Sequence, residues 1–253
     1  MAEPARALER DDEPDVSHLV TEDDTPVESP FQDHQMRLLT HVLYASWPYP
    51  DRAFVAYSDV GLFATTTEPA VVPDVLLSLD VTEPVGSAKE KRNRSYFIWR
   101  YGKPPDVVVE IVSNDEGGEE EKLARYARMR IAYACIYDPL GFLGRRRLRV
   151  YDLRGGRYFS LPRSVRPARE KPRSQVYWMP GVGLGLTVWH GVFERRLDHW
   201  LRWCDREGQL LPTGQEAAAR EREAAARARE AAARERERAD RLEARLRELG
   251  HGD

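Results

Sequence analysis

The sequence predicts an α/β fold, a buried sheet flanked by helices, with a long charged helix at its C-terminal end. Three observations carry that expectation. Residues 104–138 read PPDVVVEIVSNDEGGEEEKLARYARMRIAYACIYD, which parses as strand, loop, helix and strand, the plan of a crossover unit. Within it, Val107, Val108, Val109, Ile111 and Val112 put β-branched residues on both strand parities, as in a strand covered on both faces. From Ala217 the segments AAARERE, AAARARE and AAARERE repeat with a strict seven-residue period, which is a helical composition.

The elements follow in chain order. Residues 1–25 are acidic and poor in apolar side chains, which predicts a disordered leader. Phe31, Met36, Leu38, Leu39, Val42, Leu43 and Trp47 recur at helical spacing and predict an amphipathic helix that stops before Pro48. A short strand is expected over 54–57, and a second over 59–64 that is either independent or the hairpin partner of the first. The run VVPDVLLSL at 71–79 is a strand in which Asp74 directly follows Pro73. Residues 81–93 are charged and contain Pro and Gly, so they form an exposed loop, and 96–99 are a strand or a helical turn.

The central strand spans 107–112, Gly117-Gly118 closes a polar loop, a helix covers 119–130, and a buried strand follows at 132–137. Strands at 148–153 and 157–161 flank Gly155-Gly156 as a hairpin. Leu184 to Trp189 form a strand that His190-Gly191 ends, and Val192, Phe193, Leu197, Trp200 and Leu201 predict an amphipathic helix. A breaker at 210–213 precedes the charged helix. In that helix Ala218, Ala225, Ala232, Ala239 and Leu246 share one heptad position. Glu221, Ala228, Glu235, Leu242 and Leu249 share the position three later, so only the last turns offer a coiled-coil seam. A solvated helix held by Glu–Arg pairs at i,i+4 is expected up to Arg238, with self-association, as a dimer, open through Leu242 to Leu249.

Composition narrows the function classes. A formal net charge of -3 over 253 residues gives no global positive field, although clusters at 89–94 and 145–149 supply local basic side chains. Two cysteines, Cys135 and Cys204, make neither a disulfide framework nor a zinc ligand set, so a reducing cytoplasm is the expected compartment. The N-terminus lacks a basic segment followed by an apolar run, and no stretch approaches the roughly 18 apolar residues of a membrane span.

The chemistry concentrates on Asp74, Glu110 and Lys122. A carboxylate inside an apolar strand costs several kcal/mol to bury ionised, so Glu110 requires a compensating cation, metal or proton. Two carboxylates at the ends of neighbouring strands are able to hold Mg2+ through oxygen, with the Ile111 carbonyl as a third protein ligand. Such a metal polarises a phosphorus centre and lowers the pKa of bound water. Lys122, in the first turn of the helix returning from Glu110's strand, is placed to orient that water and offset transition-state charge.

The spacing PD…E…K on these elements resembles the PD-(D/E)XK nuclease superfamily and, more narrowly, the Uma-two family of restriction-type endonucleases. The matching stretches are VVPDVLL, PPDVVVEIVS, EKLARYARMRIAYACIYDP and LLPTGQE, within residues 26–216. The resemblance implies a restriction-endonuclease-like core, a mixed sheet flanked by helices, over 26–213, followed by the charged helix at 214–253. It implies Mg2+-dependent cutting of phosphodiester bonds in DNA, with Mn2+ as a substitute. By motif, Asp74 and Glu110 become metal ligands. The lysine usual two residues after the second carboxylate is Val112 here, and Lys122 on the following helix takes its place. Glu28 corresponds to the acidic residue of the superfamily's first helix. The competing expectation is a catalytically silent scaffold that keeps this fold and self-associates through its C-terminal helix.

Other motifs read as structural. His34, His41, His190 and His199 lack metal spacing, and Ser113 has no nucleophile-elbow context. Gly181, Gly183 and Gly185 are turn and packing glycines, and Trp178, Trp189, Trp200 and Trp203 are core residues. Arg145 to Arg147 are either phosphate contacts or a solvated turn.

Overall fold

The computed structural model describes residues 29–87, 89–114, 117–165 and 175–249, together with Asp15. The chain divides into two compact units, Met1–Leu211 and Pro212–Asp253.

The first unit begins with α1 (Pro30–Ser46), started by the Ser29 side chain, which accepts the Gln32 N–H, and by proline at its first turn. Six strands then build a mixed sheet: β1 (Phe54–Ser58), β3 (Val75–Leu79), β5 (Val107–Ile111), β6 (Tyr133–Tyr137), β7 (Leu148–Arg154) and β8 (Arg157–Ser160). They lie in the order β1-β3-β5-β6-β7-β8. Only β5 and β6 are parallel, because α3 (Glu119–Arg128) returns the chain between them. A small parallel pair, β2 (Leu62–Phe63) with β4 (Tyr96–Phe97), leads into α2 (Ile98–Tyr101). A second, antiparallel sheet has the order β12-β11-β10-β9, from β9 (Ser164–Val165), β10 (Gln175–Met179), β11 (Leu184–Phe193) and β12 (Arg196–Cys204).

β5 is buried on both faces, as its paired parities require. Val107, Val109 and Ile111 join a core with Leu39 and Leu43 of α1, Cys135 and Val150 of the sheet, and Met179, Leu184, Trp200 and Trp203 of the second sheet. Val108 faces the other way, with Leu76, Ala134, Tyr96, Tyr126 and Ile131. Glu110 shares Val108's parity, so its side chain belongs to the α3 face.

Two expectations are corrected. His190-Gly191 does not end a strand, since β11 runs on to Phe193, and residues 192–201 do not form a helix. They bridge β11 and β12, and Glu194 and Arg195 between the strands take φ of 46° and 68°. Positive φ at both central residues is the two-residue turn that suits twisted hairpins, and without Asn or Gly nothing in the sequence signals it. Strand geometry wins because β12 docks on α1: the buried Gln35 amide both accepts from and donates to the Leu201 backbone, and Trp203 Nε1 donates to the Leu39 carbonyl. Of the two readings open for 59–64, the independent strand holds, and β2 is no hairpin partner of β1. It pairs with β4, and Val71 bridges back to Leu62. β10 had no clear strand signal.

The second unit is α4 (Gly214–Leu249). A reciprocal capping box starts it: Thr213 N–H donates to Glu216 Oε2 and Glu216 N–H to Thr213 Oγ1. Glu223–Arg227, Glu230–Arg234 and Glu237–Arg241 pair at i,i+4 along the exposed surface, each contributing a few tenths of a kcal/mol. No helix among the described residues is long and apolar enough to cross a membrane.

Candidate active site

Pro73 cannot donate to a ladder, so β3 starts at Val75 and Asp74 is left at its mouth. The β3–β5 register sets Val75 opposite Val109, which brings Asp74 beside Glu110 and Ile111 at the C-terminal end of β5. Asp74 Oδ2 accepts the Ile111 N–H at 2.5 Å, and Oδ1 accepts Gln32 Nε2 of α1 at 2.8 Å. Val112 N–H donates to the Tyr137 carbonyl on the β6 side. Alternate residues present their backbone to opposite edges, so the Ile111 carbonyl faces Asp74's side with its N–H.

Glu110 is 6% exposed and fully engaged. Lys122 Nζ donates to Oε2 at 2.6 Å, and the Tyr126 hydroxyl donates to Oε1. Both donors come from one face of α3, four residues apart. Gly117 and Gly118 make the approach possible: φ of 83° and 110° turns the chain sharply into the helix, a region side-chain-bearing residues rarely adopt. Burial pushes the Glu110 carboxyl up to about 7, and the neighbouring Asp74 charge pushes the same way, while Lys122 and Tyr126 pull it down. The Tyr126 phenol is held far above its usual range by burial and by Glu110.

Tyr126→Phe leaves Glu110 Oε1 buried without its donor and is expected to cost about 1–3 kcal/mol. The loss should be larger at pH 8 than at pH 5, because the bond to an ionised carboxylate is the stronger one. Thermal melts of both proteins at the two pH values measure it.

A cavity of ≈ 180 Å³ is lined by Gln32, Asp74, Glu110, Ile111, Glu119 and Lys122 together with Ser113, Asn114, Gly117 and Gly118. All four core residues named from the sequence, Asp74, Glu110, Ile111 and Lys122, therefore meet there, and no histidine does. Glu28 lies outside the described residues. A larger cavity of ≈ 900 Å³, between α3 and the β7–β8 hairpin, contains none of these carboxylates. It opens at the other end of the sheet.

Two residues that bond the site's carboxylates escape sequence reasoning. Tyr126 reads as ordinary helix core, although its i,i+4 spacing from Lys122 is a usable signal. Gln32 is a polar side chain on the buried stripe of α1, 7% exposed. Its Nε2 must face the acceptor Asp74, so its Oε1 is the atom left buried without a hydrogen-bond partner. That orphaned oxygen fits a hard cation or the water bound to one, as do the two carboxylates and the backbone carbonyl. Among the described residues no group of three His, Cys, Asp or Glu side chains is placed to hold a metal ion, so such a cation would depend on amide and carbonyl oxygens as well.

A family model described as "Uma2: Putative restriction endonuclease" matches residues 9–178. The solved structure of "a putative nuclease belonging to DUF820" from Anabaena variabilis is 13% identical. It aligns with a TM-score of 0.38 over 56% of this chain and 74% of that one. No curated protein matches the chain.

Proposed function

Because this chain belongs to the Uma2 family, we propose that it is a Mg2+-dependent endonuclease that hydrolyses phosphodiester bonds in DNA. The observation that carries this reading is the convergence of Asp74, Glu110 and Lys122, from two strands and a helix, on one small polar cavity. Mg2+, or Mn2+ in its place, supplies Lewis acidity and a water of lowered pKa when bound.

The chain's own residues divide the remaining work. Asp74, Glu110 and the Ile111 carbonyl present oxygen ligands, and Gln32 Oε1 adds a neutral one. Tyr126 fixes the orientation of the Glu110 carboxylate by holding Oε1. Lys122 is 45% exposed in its side chain while paired with Glu110, so its ammonium faces the open side of the cavity where the attacking water and the phosphate oxygens would sit. Its positive charge is worth most as negative charge accumulates on those oxygens.

The test is nicking or cleavage of supercoiled plasmid and of single-stranded DNA with Mg2+ or Mn2+, at low and moderate salt because backbone contacts weaken as salt rises. Lys122→Met should lower kcat by about 10²-fold with the fold intact. No cutting of any substrate by wild type, with self-association through α4 intact, would replace this reading with the silent scaffold. Cutting by Lys122→Met at the wild-type rate would remove Lys122 from the site.

A further inference from the structure

The loop that leaves β6 is tied down along its length and yet holds apolar side chains in water. Asp138 is 0% exposed, and its carboxylate accepts three backbone N–H groups, from Gly141 and Phe142 on Oδ1 and from Leu143 on Oδ2, at 2.7 to 3.0 Å. Arg147 Nη1 donates to the Pro139 carbonyl at 2.7 Å and Arg149 Nη2 to the Leu143 carbonyl at 2.5 Å. Gly144 N–H donates to the Gly141 carbonyl, and Asp138 N–H to the Arg147 carbonyl. A carboxylate that accepts three N–H bonds has its charge absorbed locally.

This braced frame displays Leu140 at 70% exposure and Phe142 at 43%, followed by the exposed Arg145, Arg146 and Arg147. No acidic side chain occurs from Pro139 to Arg149. Arg146 and Arg149 of the loop, and Arg163 beyond it, act electrostatically on the Tyr177 phenol of β10, which packs on the second-sheet face of β5. The loop's position follows from the sheet. β6 runs parallel to β5 with Tyr137 opposite Ile111, so the loop departs beside the end of the strand that carries Glu110, one strand spacing of about 4.8 Å away.

We propose that this loop is a wedge for nucleic acid, in which Leu140 and Phe142 pack against bases unstacked next to the phosphate being cut while Arg145 and Arg146 hold flanking phosphates. The inference rests on the nuclease reading and adds a substrate class to it: DNA whose bases are unpaired or easily splayed. Neighbouring exposed apolar side chains offer a packing surface, and base faces are sequence-tolerant apolar partners for one. Apolar side chains inserted between base steps, flanked by arginine, are how many proteins kink or open DNA. Pre-organisation of the loop removes the ordering cost of binding.

The experiment uses the full chain in EDTA, so that no cutting occurs, with single-stranded DNA and with a duplex carrying 2-aminopurine. Wild type should raise 2-aminopurine fluorescence on binding and prefer the single strand. The double variant Leu140→Ala with Phe142→Ala should lose that rise and bind the single strand about 10-fold more weakly. Both residues are exposed, so the melting temperature should not move. Arg145→Ala with Arg146→Ala should reduce the slope of log affinity against log salt by about 1.4 for the single strand. If wild type cuts DNA and both double variants bind and unstack as wild type does, the wedge falls and the nuclease reading stands. If wild type neither binds nor cuts, both fall. A change in oligomeric state with unchanged DNA binding would make the loop a protein contact and overturn the wedge.

Discussion

Glu110→Gln is expected to lower metal-dependent DNA cleavage by on the order of 10³-fold or more, the loss of several kcal/mol of transition-state stabilisation. The amide is isosteric and still accepts the Tyr126 hydroxyl, so the packing of β5 is preserved. What disappears is a charged oxygen ligand of the cavity. Stability should move the opposite way. An unfolded glutamate ionises near 4.5, whereas folded Glu110 holds its proton to about 7. Between those values the folded chain binds more protons than the unfolded one, so stability falls as pH rises, and the penalty is complete above pH 7. A displacement of this size corresponds to about 3 kcal/mol. The metal-free variant should therefore melt at a higher temperature than metal-free wild type at pH 8, with the two converging towards pH 4. Lys122, which loses its partner, is too exposed for that loss to reverse the sign. Wild type with limiting Mg2+ should also cut better as pH rises, because the metal must displace a proton from Glu110 below about pH 7. Full cleavage by Glu110→Gln would take Glu110 out of the reaction.

Asp74→Ala should abolish cleavage and weaken the fold together. It strands two donors, the Ile111 N–H and Gln32 Nε2, at about 1–3 kcal/mol each, or roughly 2–6 kcal/mol in all. It also removes a negative charge that raises Glu110, so Glu110 should ionise at lower pH than in wild type. Asp74→Asn separates the two losses. Its carbonyl oxygen still accepts the Ile111 N–H, and Gln32 is able to turn its amide so that the orphaned Oε1 accepts from the new NH2 group. Near-wild-type denaturant unfolding with absent cleavage is the expected result for Asp74→Asn. Cleavage by Asp74→Ala within a few-fold of wild type would separate Asp74 from the chemistry.

Much of the core is legible in the sequence. The strand–loop–helix–strand unit from Pro104 to Asp138 forms as its pattern predicts, because each element there is specified by neighbours within a few residues. β-Branched residues on both parities require cover on two faces, and the double glycine requires a sharp turn. A helix between adjacent strands then makes them parallel. That logic also brings Lys122 back over the end of β5 to meet Glu110, a reading that needs only one crossover.

The hairpin at Glu194-Arg195 marks where such logic stops. Val192, Phe193, Leu197, Trp200 and Leu201 satisfy a helical spacing, yet the strand is chosen by Gln35 and Leu39 of α1, more than 160 positions away. Gln32 and Tyr126 are hidden for the same reason: each looks like an ordinary residue of its own helix until Asp74 or Glu110 arrives. The loop pinned by Asp138 is a further case, since its charged and apolar side chains acquire meaning only beside the end of β5.

By itself, then, the sequence determined the buried two-faced strand, its crossover partner, the charged helix and the carboxylates that an apolar strand cannot leave uncompensated, all consequences of short-range periodicity and desolvation. Only the tertiary structure decided which groups compensate them, how α1 brings Gln32 to the cavity, and which way the 192–201 segment folds. Those outcomes depend on contacts between residues far apart in the chain, whose energies local pattern does not encode.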